Sequence, residues 1–174
     1  MGGRYRMNHL YIGVDPGAKG GIAYIYVRPW KNESNAIKCP GSPIGMADSV
    51  RRIVHDFTMD GGTLRNTFVG IERVHSMPGQ RGMFKFGSNF GMWLGVFGSN
   101  NIEPELISPQ TWQTMYRKDG LAAGMEGTER RNKKKSIAQD IFKHLKVTQL
   151  TSDALLIANY IKEKEHEPER TSNT

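Results

Sequence analysis

The stretch YIGVDPGAKGGIAYIYV, Tyr11 to Val27, restricts the fold more than any other part of the chain. HLYIGVD and GIAYIYV are rich in β-branched and aromatic residues, and PGAKG between them supplies a tight turn. The chain therefore opens with a β-hairpin. Its first strand ends on a carboxylate, Asp15, although the rest of that strand asks to be buried.

The remaining segments set the fold class. A short third strand is expected around AIKC, ended by Pro40, Gly41 and Pro43. MADSVRRIVHDFTMD places Val50, Ile53, Val54 and Phe57 on one helical face, and Gly61-Gly62 stops that helix. TFVGIERV reads as the next strand. GSNFGMWLGVFGSN reads as a helix apolar nearly all round, with Gly87, Gly91 and Gly95 four apart. EPELISP is a short strand, QTWQTMY a short helical turn, and Arg117 to Asn132 a long glycine-containing loop. Two helices follow, KKKSIAQDIFKHLKV with a core face of Ile137, Ile141, Phe142 and Leu145, and then TSDALLIANYIKEKE. No repeat or linker divides the chain. A hairpin, then strands alternating with helices, then helices, predicts one α/β domain with a mixed sheet over residues 1–165. Residues 166–174 are expected to be a frayed, mixed-charge tail.

Composition narrows the function classes. No apolar run approaches the ~18 residues that a membrane-spanning helix needs. MGGRYRMNHL lacks the apolar stretch of a signal peptide, and Arg6 stands where a myristoylation site wants Ser or Thr. Cys39, the single cysteine, excludes an internal disulfide and a cysteine-based zinc site. A cytoplasmic location is expected, that of the host if the chain is viral. The net charge of +7, from 24 Lys+Arg against 17 Asp+Glu, favours a polyanionic partner. ERRNKKK concentrates Arg130, Arg131, Lys133, Lys134 and Lys135 in one short stretch, with Lys118 upstream.

Four acidic residues are candidates for chemistry, and each has an ordinary reading as well. Asp15 precedes Pro16-Gly17 and alone fits a turn residue. Glu72 lies among apolar residues in FVGIERV, where it either faces solvent or is held at a site. Asp153 suits the first turn of a helix through the helix dipole. Asp140 falls on a polar helix face and is expected to be solvated. If the strands ending in Asp15 and Glu72 are neighbours and the last helix packs its start against them, Asp15, Glu72 and Asp153 converge. Two carboxylates ~4 Å apart repel by about 4 kcal/mol at an effective dielectric of ~20. Three such groups need a cation or a raised pKa. Oxygen-only donors favour Mg²⁺ or Mn²⁺, and two such ions suit phosphodiester hydrolysis, one activating water and one stabilising the leaving oxygen.

IGVDPGAKGGIAYI, VGIERV and SDALLIA resemble the three motifs of RuvC-type Holliday junction resolvases, in the RNase H-like nuclease superfamily. The likeness runs from about Leu10 to about Tyr160. It implies a five-stranded mixed sheet flanked by helices, a homodimer, and paired nicking of four-way DNA junctions with two Mg²⁺ ions, for which Mn²⁺ substitutes. It implies metal ligands at Asp15, Glu72 and Asp153, with Asp15 bridging. It also implies a lysine near the scissile phosphate at Lys135, with Lys134 and Lys133 as near substitutes.

The chain departs from that pattern in two places. Where the family carries an acid or His three residues before the final Asp, on the same helical turn, this chain has Leu150. The connection after Glu72, RVHSMPGQRGMFKF, is long, and its divergence suits a bacteriophage version. His75, Arg81, Phe84, Lys85 and Phe86 are candidates there for contacts to bases and phosphates, against a reading as a flexible loop with incidental aromatics. The apolar helix offers Phe90, Trp93, Leu94 and Phe97 to a dimer interface, or else is wholly buried in its own core. Other readings kept open are hydrolysis of RNA–DNA hybrids or RNA, and junction binding without catalysis. A sugar-kinase-type phosphate site is a further reading, against which the chain is short for that two-domain fold, and GAKGG is no P-loop because no Gly-Lys-Ser/Thr follows.

Overall fold

The structure is a computed structural model that describes residues 8–73 and 83–166. The hairpin forms as the sequence asks. Strand β1 (His9–Asp15) pairs antiparallel with β2 (Gly21–Val27), Asp15 standing opposite Gly21. β3 is longer than AIKC and runs Asn32–Lys38, antiparallel to β2 along its whole length. Its polar NESNA sequence hides a strand because β3 is an edge, with one flank free for water.

Helix α1 (Pro43–Met59) starts earlier than its apolar face suggests. Ser42 accepts a hydrogen bond from the Gly45 N–H, and Pro43 fits the first helical position, where no N–H partner is needed. β4 (Thr67–Glu72) then enters beside β1, parallel to it, and α2 (Met83–Ser99) leads to the short β5 (Glu105–Ile107). The five strands lie in the order β3-β2-β1-β4-β5. α3 (Pro109–Thr114), α4 (Gly127–Ile141) and α5 (Ser152–His166) complete the chain.

Strand alternation assigns the two faces of the sheet. Leu10, Ile12 and Val14 of β1 and Val69 and Ile71 of β4 pack with Met46, Val50, Ile53 and Phe57 of α1 and Trp93 and Phe97 of α2. Tyr11 and Ala23 face the opposite way, against Trp112, Ile137, Ala154, Leu155 and Ala158 of α3, α4 and α5. The odd-numbered side of β1 and the even-numbered side of β4 therefore both face α5. Asp15 and Glu72 lie on that side. They are adjacent, one step past the Val14–Ile71 pair.

Several sequence expectations are corrected. Trp93 and Phe97 are fully buried in the protomer's own core, so neither can form a surface to a second copy. Arg117 to Asn132 is not all loop, because α4 begins at Gly127 after a short 3-10 turn at Arg117–Asp119. α4 ends at Ile141, which is exposed, and Leu145 lies beyond it. Gln139 ends the helix: its amide N–H donates to the carbonyls of Phe142 and Leu145, and its side-chain oxygen accepts from the Val147 N–H. Leu150 is half-exposed in the turn before α5 and does not share a helical turn with Asp153.

Candidate functional site

The site forms where three elements end or begin together. Asp15 is the last residue of β1, Glu72 the last of β4, and Asp153 stands in the first turn of α5. α5 lies close on β1 because Gly13 has no side chain. A Cβ there would come within 2.2 Å of the Ala154 carbonyl oxygen and 2.4 Å of the Ala158 nitrogen. That contact sets Asp153, the residue before Ala154, against the end of β1. Gly20 has a matching role in the turn, since a Cβ on it would lie 2.6 Å from the Asp15 carboxyl carbon.

The carboxylates influence one another strongly. Burial, and then the charge of Asp153, push Asp15 up from 3.8 to about 6, opposed by the Gly17 N–H and by Lys134. The Gly17 N–H donates to Asp15 Oδ1 at 3.2 Å. Burial, and then the charges of Asp15 and Asp153, push Glu72 up from 4.5 to about 7, opposed by Trp112 and Lys134. The three carboxylates, expected from the sequence to converge, lie near enough for their charges to act on one another.

Two residues complete the cluster. The Lys134 ammonium is an ion-pair partner of Asp153 Oδ2, and both side chains are nearly enclosed. Ser152 Oγ donates to the other oxygen of Asp153 at 3.2 Å. Trp112 of α3 donates its indole N–H to Glu72 Oε1 at 3.0 Å, and Lys134 stands 5.7 Å from the centre of the same indole. Trp112 thus orients one carboxylate and flanks the cation that holds another. Sequence reasoning passed over it, because its partner is 40 residues away. The available signal was a Trp set among the polar residues of QTWQT.

Lys135 is exposed, and the lysine that reaches the carboxylates is its neighbour Lys134. One residue rotates a side chain by about 100° around a helix, so the two occupy different faces of α4. Arg130 lies on the Lys134 face, while Arg131 is exposed and donates to Thr128 Oγ1. Lys133 is half-buried over Gly120, and Lys118 is exposed. Phe84 and Lys85 are exposed at the start of α2, Phe84 at 90%. Phe86 sits beside the Asp15 turn, 3.4 Å from where a Gly17 Cβ would be. Asn89 of α2 fastens the same turn, donating to the Pro16 carbonyl at 2.7 Å. His75 and Arg81 lie outside the described residues.

The donor set fits a hard divalent cation: oxygen only, partly buried, and carrying more negative charge than the fold can neutralise alone. Among the described residues, no group of three His, Cys, Asp or Glu side chains is arranged to grip one ion in this conformation. The Lys134 ammonium holds a cation's place at Asp153. A cavity of about 420 Å³ between β2–β3 and α1 lies apart from these residues. Among the described residues, no helix is long and apolar enough to cross a membrane.

Comparison with known proteins identifies the fold. No family model matches the sequence, and no curated protein matches it either. Two solved structures of Thermus thermophilus RuvC do match in three dimensions. One, RuvC in complex with a Holliday junction substrate, is 17% identical with a TM-score of 0.55, covering 91% of this chain and 96% of that one. The other is 15% identical with a TM-score of 0.57, covering 90% and 96%. The five-stranded mixed sheet with its flanking helices is the RNase H-like fold of RuvC.

Proposed function

We propose that this chain is a Holliday junction resolvase, a structure-selective endodeoxyribonuclease that makes paired symmetric nicks in four-way DNA. The observation that carries this reading is the meeting of Asp15, Glu72 and Asp153, from three elements, at one end of a RuvC-like sheet. Asp15, Glu72 and Asp153 would hold Mg²⁺ or Mn²⁺. When bound, such ions supply an activated water and stabilise the leaving 3′ oxygen.

The chain's own groups do the rest. Trp112 fixes the orientation of Glu72 through its indole N–H. The Gly17 N–H holds Asp15, and Ser152 holds Asp153. Lys134, paired with Asp153 in this structure, would serve the scissile phosphate, the role the resemblance implied for Lys135. Phe84 and Lys85, exposed at the start of α2, would meet an unstacked base and a phosphate. Lys118, Arg131, Lys133 and Lys135 extend the basic surface along the DNA.

Cutting two strands symmetrically calls for two copies. The open face of α2 suits that contact. Among the described residues, a Cβ on Gly87, Gly91, Gly95 or Gly98 would meet nothing within 4 Å, and Phe90 and Leu94 border the stripe half-buried. A second helix can approach there closely, without Trp93 or Phe97.

The ion pair of Lys134 with Asp153 favours one other reading, junction binding without hydrolysis. Cleavage of a four-way junction, a linear duplex and an RNA–DNA hybrid in parallel separates these readings. A resolvase cuts the junction, an RNase H-like hydrolase the hybrid, and a binding protein retains the junction uncut.

A further inference from the structure

One helical turn before Lys134, on the same face of α4, Arg130 lines a second cleft. It encloses about 100 Å³ between α3, the segment after the 3-10 turn, and α4. Its polar side chains are Gln110, Gln113, Thr114, Arg117 and Arg130, and no carboxylate lines it. The Arg130 guanidinium is anchored from two sides. Nη1 donates to Gln113 Oε1 at 3.2 Å and Nη2 to the Ala123 carbonyl at 2.8 Å. Both acceptors are neutral. Among the described residues, neither Arg130 nor Arg117 forms an ion pair. Arg130 Nε is buried and has no hydrogen-bond partner among the described residues.

This arrangement leaves three unfavourable features at one place. A buried N–H without an acceptor destabilises, and more so on a charged group. A guanidinium held by neutral partners lacks a counter-charge. Arg130 also stands in the first turn of α4, where the helix dipole opposes a cation. An oxoanion in the cleft supplies the missing counter-charge and offsets the dipole, and a small turn of the side chain would bring Nε to it as well. The guanidinium fork matches phosphate oxygens in shape as well as charge.

We propose that the Arg117–Arg130 cleft is an oxoanion site that takes a phosphate group. The source assigned here, a phosphate of the DNA strand next to the one being cut, rests on the function proposed above. Four residues of α-helix rise about 6 Å, so Arg130 is placed to hold a neighbouring group while Lys134 faces the carboxylates. Inorganic phosphate in solution has the same chemistry and is the other source.

The test uses the whole chain as wild type, Arg130→Gln and Arg117→Gln. Arg51→Gln is the control, on α1 across the sheet. In the first arm, without divalent cations, inorganic phosphate is titrated at constant ionic strength while thermal unfolding is followed. Wild type and Arg51→Gln should rise in midpoint, and the two cleft variants should not. In the second arm, binding of labelled duplex and four-way DNA is measured against salt. Losing one phosphate contact lowers the duplex slope by about 0.9. Loss of both responses supports a strand phosphate, and loss of the first alone supports the oxoanion site with free phosphate as its ligand. Cleft variants that match Arg51→Gln in both arms overturn the proposal. If Arg130→Gln is unstable, Arg117→Gln leaves the Arg130 anchors intact, and Arg130→Lys keeps the charge without the fork. The phosphate arm needs no nuclease activity, so failure to cut junctions would overturn the proposed function and leave this site standing.

Discussion

Replacing Asp15 by Asn should abolish cleavage and at the same time stabilise the protein without metal. The folded state holds Asp15 at about 6 against 3.8 ordinarily, mainly through burial and then through the charge of Asp153. That displacement corresponds to about 3 kcal/mol. The group binds more protons folded than unfolded between about pH 4 and 6, so its contribution to stability falls as pH rises through that window. The deficit stays constant above it. Asparagine keeps an oxygen to accept the Gly17 N–H but never ionises, so it escapes the deficit. In EDTA at pH 8, Asp15→Asn should therefore gain about 2–3 kcal/mol by urea denaturation, or roughly 4–12 °C in melting temperature for a chain of this size. At pH 4 the gain should vanish. Adding Mg²⁺ at pH 8 should raise the wild-type midpoint and leave the variant nearly unmoved. A variant less stable than wild type at pH 8, or one with an equal gain at both pH values, would refute the electrostatic account of this cluster.

Three further substitutions probe the neighbours of Asp15. Lys134→Met should cost the metal-free protein about 3–5 kcal/mol by breaking its enclosed pair with Asp153. It should also tighten Mn²⁺ binding about tenfold in a calorimetric titration, and unchanged affinity would show that the ammonium does not compete with the cation. Trp112→Phe keeps the ring but loses the bond to Glu72, so stability should fall by about 1 kcal/mol while Mn²⁺ affinity drops measurably. Wild-type affinity would remove Trp112 from the site. Gly13→Ala should destabilise by several kcal/mol, since its Cβ would lie 2.2 Å from the Ala154 carbonyl oxygen, and loss of metal binding should accompany any folded fraction. A variant of normal stability would mean that α5 can shift on β1 without harm.

The sequence carried the frame of this site because the frame is periodic. β1 and β4 alternate every second residue, so the parity that buries Ile12 and Ile71 sends Asp15 and Glu72 to the other face. Asp153 follows from a helix start that Thr151-Ser152 announces. What was illegible depends on rotation or on distant partners. α4 has charges all round its first two turns, so no apolar stripe marks where it begins, and without its start Lys134 and Lys135 cannot be told apart. Trp93 and Phe97 looked available because the helix is apolar on most sides; only packing against β1 shows that the uncovered side is glycine. β3 was shortened because an edge strand can be polar and still pair fully with β2.

Incubation of the protein with an end-labelled four-way junction and Mg²⁺, with both strands mapped, tests the central claim most directly. The account predicts paired nicks at symmetry-related positions, absent in EDTA and in Asp15→Asn. Normal cleavage by Asp15→Asn would contradict it, as would a wild-type protein that binds the junction and leaves it whole in both Mg²⁺ and Mn²⁺.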